Sequence, residues 1–537
     1  MAKDECDAII IGGGHNGLVC AFYLARAGLR VTVLERRPIV GGAAVTEEFF
    51  PGFRNSVASY TVSLLNPKVI GDLALHRHGL RIVERQVANF LPVNDSAYLS
   101  GSSPAEIARF SQKDAARIDA YNARLESIAA ILRRLVLQAP PNLTTSGWMA
   151  ALPELLKSAA LGRTVSKLDL TAKRDLLALF TQSGGDWLDG WFESEPIKAM
   201  LGFDAIVGNY ASPYTPGSAY VLLHHVFGEV NGKKGAWGHA MGGMGAITQA
   251  MAAACREQGV EIRTDCAVRE VLVAQGRAKG VVLESGETLL APRIVSNLNP
   301  KLLFGKLIDA ALLPADFRER IARYRCASGS FRMNVALSEL PRFTCLPQNG
   351  PHLTGGIIMA PSLAYMDRAF ADARAFGWSK APIIEMLIPS VIDNSLAPPG
   401  RHVASLFCQH VAPELSDGRS WDAYRDEVAE LMIATVDGFA PGFKQSVLGM
   451  QALSPLDLER IFGLTGGDIM HGKLDLDQMF SARPVLGHGN YRSPIGGLYM
   501  CGAGTHPGGG VTGAPGHNAA HEILKDAGRR KAARSRA

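Results

Sequence analysis

The sequence lacks the patterns that mark several large classes of protein. Its eight cysteines never form C-x-x-C, which argues against a zinc ribbon and against a dithiol redox centre. No run of about 18 apolar residues occurs, so a membrane-spanning helix is not expected. A G-x-S-x-G elbow is also missing, which disfavours an acyl-transfer serine enzyme. The chemistry of this chain must therefore be sought in other motifs.

Positive charge outside the C-terminal end is scarce as well. The chain carries a formal net charge of +5, and the tail 525–537 alone holds six basic residues and one acid. The rest of the chain is near neutral, so it offers no basic face and we expect no nucleic-acid partner. The tail is typical of a solvated end, and the alternative is weak attraction to an anionic membrane surface.

The N-terminal segment shows neither a secretory signal nor a visible mitochondrial presequence. We therefore expect a cytoplasmic protein with reduced thiols. With 537 residues, of which 47% are hydrophobic and 20% charged, the chain can bury a large core and is expected to form two domains.

A glycine-rich motif near the N-terminus is the first informative feature that is present. The apolar run 7–11 is typical of a buried parallel strand, and Gly12, Gly14 and Gly17 follow it as G-x-G-x-x-G. The first glycine permits a tight turn, the second lets the backbone approach a pyrophosphate, and the third lets the next helix pack closely. Residues 18–27 predict that helix, whose N-terminus favours phosphate. The motif predicts a dinucleotide site.

An acid and a pair of adjacent glycines further along the chain indicate which dinucleotide is bound. Residues 29–34 predict the next strand, and Glu35 follows it at the spacing of an acid that binds ribose hydroxyls. Gly41 and Gly42 come shortly after. Here the sequence resembles the large flavoprotein family that includes glutathione reductase, the amine oxidases and the phytoene desaturases. In that family a glycine pair after the acid marks FAD rather than NAD, so the resemblance implies FAD as the cofactor.

The resemblance also implies positions around the cofactor. It implies Glu35 on the adenosine ribose, Arg36 beside the adenine, Gly41 and Gly42 near the diphosphate, and the backbone of Val268 against the adenine. The cofactor-binding residues expected in all are Gly12, Gly14, His15, Asn16, Gly17, Glu35, Arg36, Gly41, Gly42, Ala43, Val268, Gly502, Thr505 and Gly513.

No metal is expected. His517 and His521 have a metal-ligand spacing on a predicted helix, but the motif lacks a glutamate and the helix is assigned to the flavin.

A second glycine-rich segment, from Gly497 to Leu524, narrows the resemblance. Its CGAGTHPGGGVTGAPG resembles the signature of phytoene desaturases, carotenoid isomerases and carotenoid ketolases of the desaturase type. WFESEPIKA, SPYTPGSAYVLLHHV and DLERIFGLTGGDIMHGKLDLDQMF resemble a phytoene-dehydrogenase-like mitochondrial branch named for a pyridine nucleotide-disulphide oxidoreductase domain. Residues 502–506 hold no acid, unlike many flavoproteins, so backbone N–H groups and a helix beginning near Gly516 are expected to hold the flavin end. The two ends of the chain must then meet.

The fold class implied is α/β. We expect a glutathione-reductase-type, Rossmann-like FAD domain that is discontinuous in sequence, with an α+β substrate or cap domain. The expected FAD domain comprises residues 1–95, 238–300 and 481–537, and the substrate or cap domain comprises 96–237 and 301–480.

Within the cap, Ser103 to Gln138 predicts charged helices. The apolar segment Trp148 to Leu161 predicts a packed cap helix or, alternatively, a lip that touches a membrane peripherally and admits a lipid-like substrate. Large cap surfaces often pair, so a homodimer is also open.

The sequence indicates the catalytic residues less clearly than it indicates the cofactor site. A flavin accepts hydride at its own N5, so the protein supplies placement and electrostatics. His506 lies in the flavin-end loop and could face the isoalloxazine, or it could simply bond the loop. One of His471, Asp475 and Asp477 could line the pocket, or these residues could order their own loop.

Three functions remain open at this point. The first is an FAD-dependent oxidoreductase that desaturates, saturates or isomerises a carbon–carbon bond in a small apolar substrate, such as a polyene, an isoprenoid or a lipid, by hydride transfer at flavin N5. The second is an amine or small-molecule oxidase that uses oxygen. The third is a flavin-binding regulatory or scaffold protein with little catalysis.

Overall fold

The computed structural model describes residues 6–93, 96–100, 104–142, 144 and 148–534. Its helices are α1 (His15–Arg26), α2 (Pro67–Asp72), α3 (Pro104–Ala108), α4 (Gln112–Ala115), α5 (Ile118–Val136), α6 (Trp148–Ser166), α7 (Leu170–Thr181), α8 (Gly184–Trp191), α9 (Glu195–Phe203), α10 (Ser218–His225), α11 (Gly245–Glu257), α12 (Pro300–Lys306), α13 (Ala315–Arg323), α14 (Leu363–Phe376), α15 (Trp421–Phe439), α16 (Phe443–Ser446), α17 (Pro455–Phe462) and α18 (Ala514–Arg534).

The strands are β1 (Ala8–Ile11), β2 (Val31–Leu34), β3 (Thr46–Phe50), β4 (Phe53–Ser56), β5 (Ile82–Glu84), β6 (Asn89–Val93), β7 (Ser96–Ser100), β8 (Glu229–Val230), β9 (Lys233–Lys234), β10 (Gly238–Ala240), β11 (Glu261–Arg263), β12 (Val268–Ala274), β13 (Arg277–Leu283), β14 (Thr288–Leu290), β15 (Ile294–Ser296), β16 (Ser330–Leu337), β17 (Gly356–Met359), β18 (Trp378–Leu387), β19 (His402–Val411), β20 (Val447–Leu453) and β21 (Leu498–Met500). The predictions for the N-terminal residues 1–5, for Ser103 and for the end of the basic tail at 535–537 lie outside the described residues.

A five-stranded parallel sheet in the order β11-β2-β1-β15-β21 forms the first core. Its strands come from three distant stretches of the chain, which confirms the discontinuous Rossmann-like fold expected from the sequence. Ile10 of β1 packs with α1, α11 and α18, whereas Ile9 and Ile11 pack toward the β12-β13-β14 sheet. This alternation explains the unbroken apolar run of β1, because the strand is buried on both faces.

A seven-stranded mixed sheet in the order β20-β16-β19-β18-β17-β6-β7 forms the second core. Its neighbours are antiparallel except for β17 and β6, which run parallel. Met333 and Val335 of β16 share a core cluster with Val428 and Met432 of α15. The residues that alternate with them, including Arg332, therefore lie on the opposite face.

Three elements depart from the expected division of the chain. β6 lies within the range 1–95 but pairs in the seven-stranded sheet. α12, apart from its first residue, and α13 lie within 301–480, yet Phe304 and Phe317 pack beneath the parallel sheet. A short apolar pattern predicts whether a segment is a strand or a helix, but not which sheet it joins or packs against. The placement of these elements could therefore not be predicted from the sequence around them. The domain boundaries stay a prediction.

Helices α3 to α10 lie in the range 96–237 expected for the cap, and the described part of Ser103 to Gln138 is mostly helical, as expected. α6 is continuous although Pro153 lies inside it. Its Leu152, Leu155 and Leu156 are 50%, 56% and 62% exposed. This face of α6 is therefore not packed in the described structure. Among the described helices, none combines the length and apolar character needed to cross a bilayer.

Candidate functional site

The two glycine-rich segments come together in space, as the sequence analysis required. α18 lies against α1, and a Cβ on Gly516 would stand 2.1 Å from the carbonyl oxygen of Asn16. A Cβ on Gly17 would stand 2.3 Å from the carbonyl oxygen of Gly12. Side chains at either position would overlap backbone, so only glycine allows these approaches. The helix expected near Gly516 begins slightly earlier, at Ala514.

A cavity of about 260 Å³ lies at the carboxyl ends of the parallel strands. This is the edge at which open α/β sheets bind ligands. Ten of the expected cofactor residues line it: Gly12, Gly14, His15, Asn16, Glu35, Arg36, Gly41, Gly42, Ala43 and Val268. We call this space the dinucleotide cavity.

The other four expected residues shape the loops behind this cavity. Gly17 lies against the first turn of the motif, as described above. A Cβ on Gly502 would approach the carbonyl oxygen of Asn297 to 2.6 Å. The Thr505 hydroxyl donates to the carbonyl oxygen of Gly502 at 2.8 Å, and Gly513 turns the chain with φ +74°.

Polar groups without partners face the dinucleotide cavity. No side chain caps α1 at Gly14, so the N–H groups of its first turn are available to a phosphate. The buried atoms His15 Nε2, Asn16 Oδ1 and Arg37 Nη1 have no hydrogen-bond partner. Buried polar atoms are normally paired, and a bound dinucleotide would supply partners here. The residues present therefore fit FAD.

Glu35 holds the turn as well as lining the cavity. Its Oε2 accepts a hydrogen bond from the Gly13 N–H at 2.8 Å, and its Oε1 accepts one from the Arg37 N–H at 3.0 Å. A carboxylate oxygen has two lone pairs, so each oxygen keeps one for a ribose hydroxyl. Both functions agree with an acid at the end of β2.

Arg36 forms part of the cavity wall. Its guanidinium donates to the carbonyl oxygens of Arg460 and Ile461 at 3.0 and 2.7 Å, at the end of α17. The same cavity is lined by Val268, on the side of β12. Their positions against the adenine remain implications of the resemblance.

Asn297 is a cavity residue that the sequence analysis missed. Its amide nitrogen donates to the carbonyl oxygen of Gly12 at 3.3 Å, and it would lie 2.7 Å from a Cβ on Gly14. A signal was available in the sequence, because Asn297 directly follows the short apolar run 294–296, and the carboxyl end of a parallel strand is where a ligand binds. Arg37 was also missed; its Nη2 donates to both carboxylate oxygens of Glu47 at 2.8 Å.

A second cavity of about 140 Å³ adjoins the first. His15, Ala43, His471 and Ala503 line both spaces, so the cavities meet at these residues. We call the second space the substrate cavity. Its apolar wall includes Val62, Leu64, Val207, Met244, Ile247 and Ile469, and its polar wall includes Tyr60, Thr61 and His225.

Two uncharged imidazoles stand where the cavities meet. Burial lowers the pKa of His15 to about 4. Burial also lowers the pKa of His471 to about 4, helped by repulsion from a protonated His15 ring. Of the three candidates His471, Asp475 and Asp477, His471 is the one that lines the cavities. Asp475 and Asp477 instead pair with Arg325 outside the cavities, at 3.1 and 2.5 Å.

His506 lies apart from this junction and lines neither cavity. Its Nε2 is 3.1 Å from the carbonyl oxygen of Leu135, and its ring meets Phe480 edge to face at 5.2 Å. Burial lowers the pKa of His506 to about 4. This arrangement fits the structural alternative, in which the ring fixes the C-terminal loop, here against α5.

The family of flavin containing amine oxidoreductases matches residues 17–524, which is most of the chain. The chain belongs to this family. It is an FAD-dependent oxidoreductase, and the dinucleotide cavity is the part of the structure that fits FAD.

Three relatives span nearly the whole chain. Pyridine nucleotide-disulfide oxidoreductase domain-containing protein 2 of Rattus norvegicus is 41% identical over 98% of this chain and 94% of its own length. A limonene dehydrogenase component from Castellaniella defragrans is 26% identical over 98% and 95%. The phytoene desaturase (lycopene-forming) of Pseudescherichia vulneris is 25% identical over 94% and 96%. The resemblance to phytoene desaturases is confirmed.

A solved structure supports the fold. A redesigned putrescine oxidase superposes with a TM-score of 0.60 at 15% identity, covering 98% of this chain and 99% of that one. At this identity the likeness concerns the fold alone.

Proposed function

We propose that this oxidoreductase acts on an apolar, isoprenoid-like or lipid-like substrate and desaturates, saturates or isomerises a carbon–carbon bond. The wall of the substrate cavity carries the proposal. It is largely apolar, and no carboxylate is found among the described residues that line it. A cationic amine would find no carboxylate in that wall to pair with, and an unpaired buried charge is costly.

Two of the relatives are named for limonene and phytoene, which are hydrocarbons. Their names support a substrate that needs no charged partner in the cavity.

FAD supplies a hydride acceptor or donor at its N5. The residues of the chain hold and orient the reactants. The open N-terminus of α1 and Glu35 would hold the dinucleotide, while the neutral rings of His15 and His471 line the junction at which the two cavities meet. The apolar wall excludes water, which keeps the reacting carbons away from competing proton donors.

A matched pair of probes tests the proposal. Oxidised holoprotein is mixed without oxygen with limonene or with perillylamine, which has the same carbon skeleton and a primary amine. We expect limonene or a longer isoprenoid to bleach the flavin absorbance and to yield a product with a changed double-bond pattern. Bleaching by perillylamine alone, with peroxide formed in air, would overturn the proposal in favour of an amine oxidase. Bleaching by no probe would favour the scaffold function.

We also propose that the exposed leucines of α6 and α7 touch an anionic membrane surface. Leu170 and Leu177 of α7 are 61% and 66% exposed, which adds to the exposed leucines of α6. The segment 148–181 carries five basic and three acidic residues, so its charge complements anionic lipid. A peripheral position of this kind would bring an apolar substrate to the cap. Cytoplasmic location and homodimer formation remain expectations from the sequence.

A further inference from the structure

A row of side chains crosses the inner face of the seven-stranded sheet beside the substrate cavity. Glu385 of β18 is paired with Phe407 of β19, and Phe407 is paired with Arg332 of β16. All three are buried, at 6%, 1% and 0% exposure. Phe407 therefore lies between them, with the backbones of β18 and β16 two strand spacings, about 10 Å, apart. The sheet holds two buried ionisable groups that do not touch.

Tyr60 connects the two groups. Its hydroxyl donates a hydrogen bond to Glu385 Oε2. Its ring stacks on Phe407 with the centroids 5.5 Å apart, and the Arg332 guanidinium lies 4.4 Å from the centroid of the Tyr60 ring. Tyr60 also lines the substrate cavity. A phenol is thus placed between a buried carboxylate and the space where a substrate would bind.

A small chamber lies behind Tyr60. It has a volume of about 20 Å³, and its polar wall is formed by Tyr60, Arg85, Asn89, Asp204 and Glu385. A space of this size holds one water molecule when two or more polar partners surround it. Val207 and Trp237 border both the chamber and the substrate cavity. The chamber is a polar extension of an otherwise apolar pocket.

Both carboxyl groups of this chamber have raised pKa values, and one proton shared between them leaves the other group ionised. Burial and the nearby charge of Glu385 raise the pKa of Asp204 to about 7. Burial raises the pKa of Glu385 as well, against the opposing effects of Arg85, the Tyr60 hydrogen bond and Arg332. Tyr121 also lies near the Asp204 carboxyl group, and His225 contacts the backbone of Asp204.

We propose that Tyr60 and Glu385 form the proton-transfer pair of the substrate cavity, with the chamber as their proton store. This inference rests on the proposed function. In the oxidative direction the phenol oxygen takes a proton from a substrate carbon while its own O–H proton passes to the Glu385 carboxylate. The electron pair of that C–H bond would become the second bond of the new alkene as the adjacent carbon loses a hydride, for which FAD held in the dinucleotide cavity would be the acceptor. In the reductive direction each transfer is reversed.

Arg332 acts as a positioning residue in this arrangement. Its Nη1 donates to the carbonyl oxygen of Leu406 and its Nη2 to the hydroxyl of Ser405, both at 2.7 Å. The guanidinium is thereby fixed over the Tyr60 ring, where a positive charge stabilises negative charge that develops on the phenol oxygen.

The first test needs no substrate. Infrared spectra of the purified holoprotein at neutral pH, in H₂O and in D₂O, are compared for the wild type, Tyr60→Phe, Glu385→Gln and the control Tyr210→Phe. Tyr210 is a partly buried phenol whose ring meets Phe370 and His410 away from this chamber. We expect the C=O band of a protonated carboxylic acid in the wild type and the control, altered in both test variants. The proposal would be overturned if the wild type showed no such band, or if the band were unchanged in both test variants.

The second test measures proton transfer itself. Reduced holoprotein is incubated in D₂O with an alkene that the probe experiment has identified, and deuterium entering the carbon skeleton is measured by mass spectrometry. Loss of a positioned acid–base group typically costs 10²- to 10⁴-fold, so we expect each test variant to lose at least about 100-fold in deuterium incorporation while keeping its flavin. Wild-type incorporation in both variants would contradict the pair. If no alkene reacts, the proposed function fails. The infrared result still decides whether the chamber holds a proton that responds to Tyr60 and Glu385.

Discussion

Gly516 of α18 lies directly against Asn16 of α1, so closely that a Cβ would stand 2.1 Å from the Asn16 carbonyl oxygen. This contact joins the two ends of the chain at the open N-terminus of α1, where the dinucleotide cavity begins. The integrity of the FAD site thus depends on a glycine that lies 500 residues after Asn16 in the sequence.

Gly516→Ala should separate α18 from α1. We expect it to lower the free energy of unfolding by about 1–3 kcal/mol, as overpacking does, and to reduce the flavin content of the purified protein. Urea unfolding and absorbance measure both effects. Gly528→Ala is the matched control, because it lies on the same helix and a Cβ there meets nothing within 4 Å. Equal behaviour of the two variants would argue against the contact.

Gly14→Val should abolish FAD binding. The substituted side chain would point toward Asn297, whose amide nitrogen lies 2.7 Å from the position of a Cβ, and into the space needed by the pyrophosphate. The FAD-to-protein ratio after purification is the measurement. Gly71→Ala on α2 serves as a control, since a Cβ there also meets nothing within 4 Å. Full flavin content in Gly14→Val would remove the dinucleotide assignment from this cavity.

Asp393 joins the loop after β10 to the larger sheet domain. Its carboxylate accepts hydrogen bonds from the Gly242 N–H at 2.6 Å and from the Ser395 N–H and hydroxyl at 3.0 and 2.6 Å, and His239 Nε2 lies 3.1 Å away. Burial opposes ionisation, but His239, Ser395 and Gly242 together hold the pKa of Asp393 well below its usual range. A depressed pKa contributes stability above the unfolded pKa, about 3.9, and the contribution is lost as the pH falls through the folded value.

Asp393→Asn should therefore lower the free energy of unfolding near pH 7 by about 1–3 kcal/mol. Its difference from the wild type should shrink as the pH falls below about 4. Urea titrations at neutral and acid pH measure this difference. Asp426→Asn, at a side chain that is 82% exposed, should change little at either pH. A difference that grows on acidification would contradict a depressed pKa for Asp393.

The double variant Leu155→Asp and Leu156→Asp should weaken binding to vesicles that contain anionic lipid. Two charges would replace apolar side chains that are 56% and 62% exposed, so the fold should tolerate them while insertion into the interface should not. Cosedimentation with vesicles is the measurement. Leu290→Asp on β14, at 57% exposure, is the matched control. If the wild type itself stays in the supernatant, α6 and α7 do not touch such membranes.

The sequence predicted the dinucleotide motif because its determinants are local. Gly12, Gly14, Gly17 and Glu35 lie within one strand–helix–strand unit, and each glycine answers a steric requirement of that unit. The pairing of the two chain ends followed from the resemblance, which implies that both glycine-rich segments hold one flavin. These parts of the fold required no knowledge of long-range register.

The substrate side could not be predicted in the same way. Tyr60 and Glu385 are 325 residues apart, and their contact depends on the order of strands in the seven-stranded sheet. No periodic pattern in the sequence reports that order. His471 and His506 show the same limit, because both lie in loops of the expected site and only the folded chain distinguishes the ring that lines the cavities from the ring that does not.

The most direct test of the central claim is the visible spectrum of the purified protein before and after denaturation, with the released cofactor identified by chromatography. The account predicts flavin bands that shift on release and a cofactor that elutes as FAD in a ratio near one per chain. A colourless protein that also takes up no added FAD would contradict it, since the cavity at the carboxyl ends of the parallel strands would then not bind the cofactor.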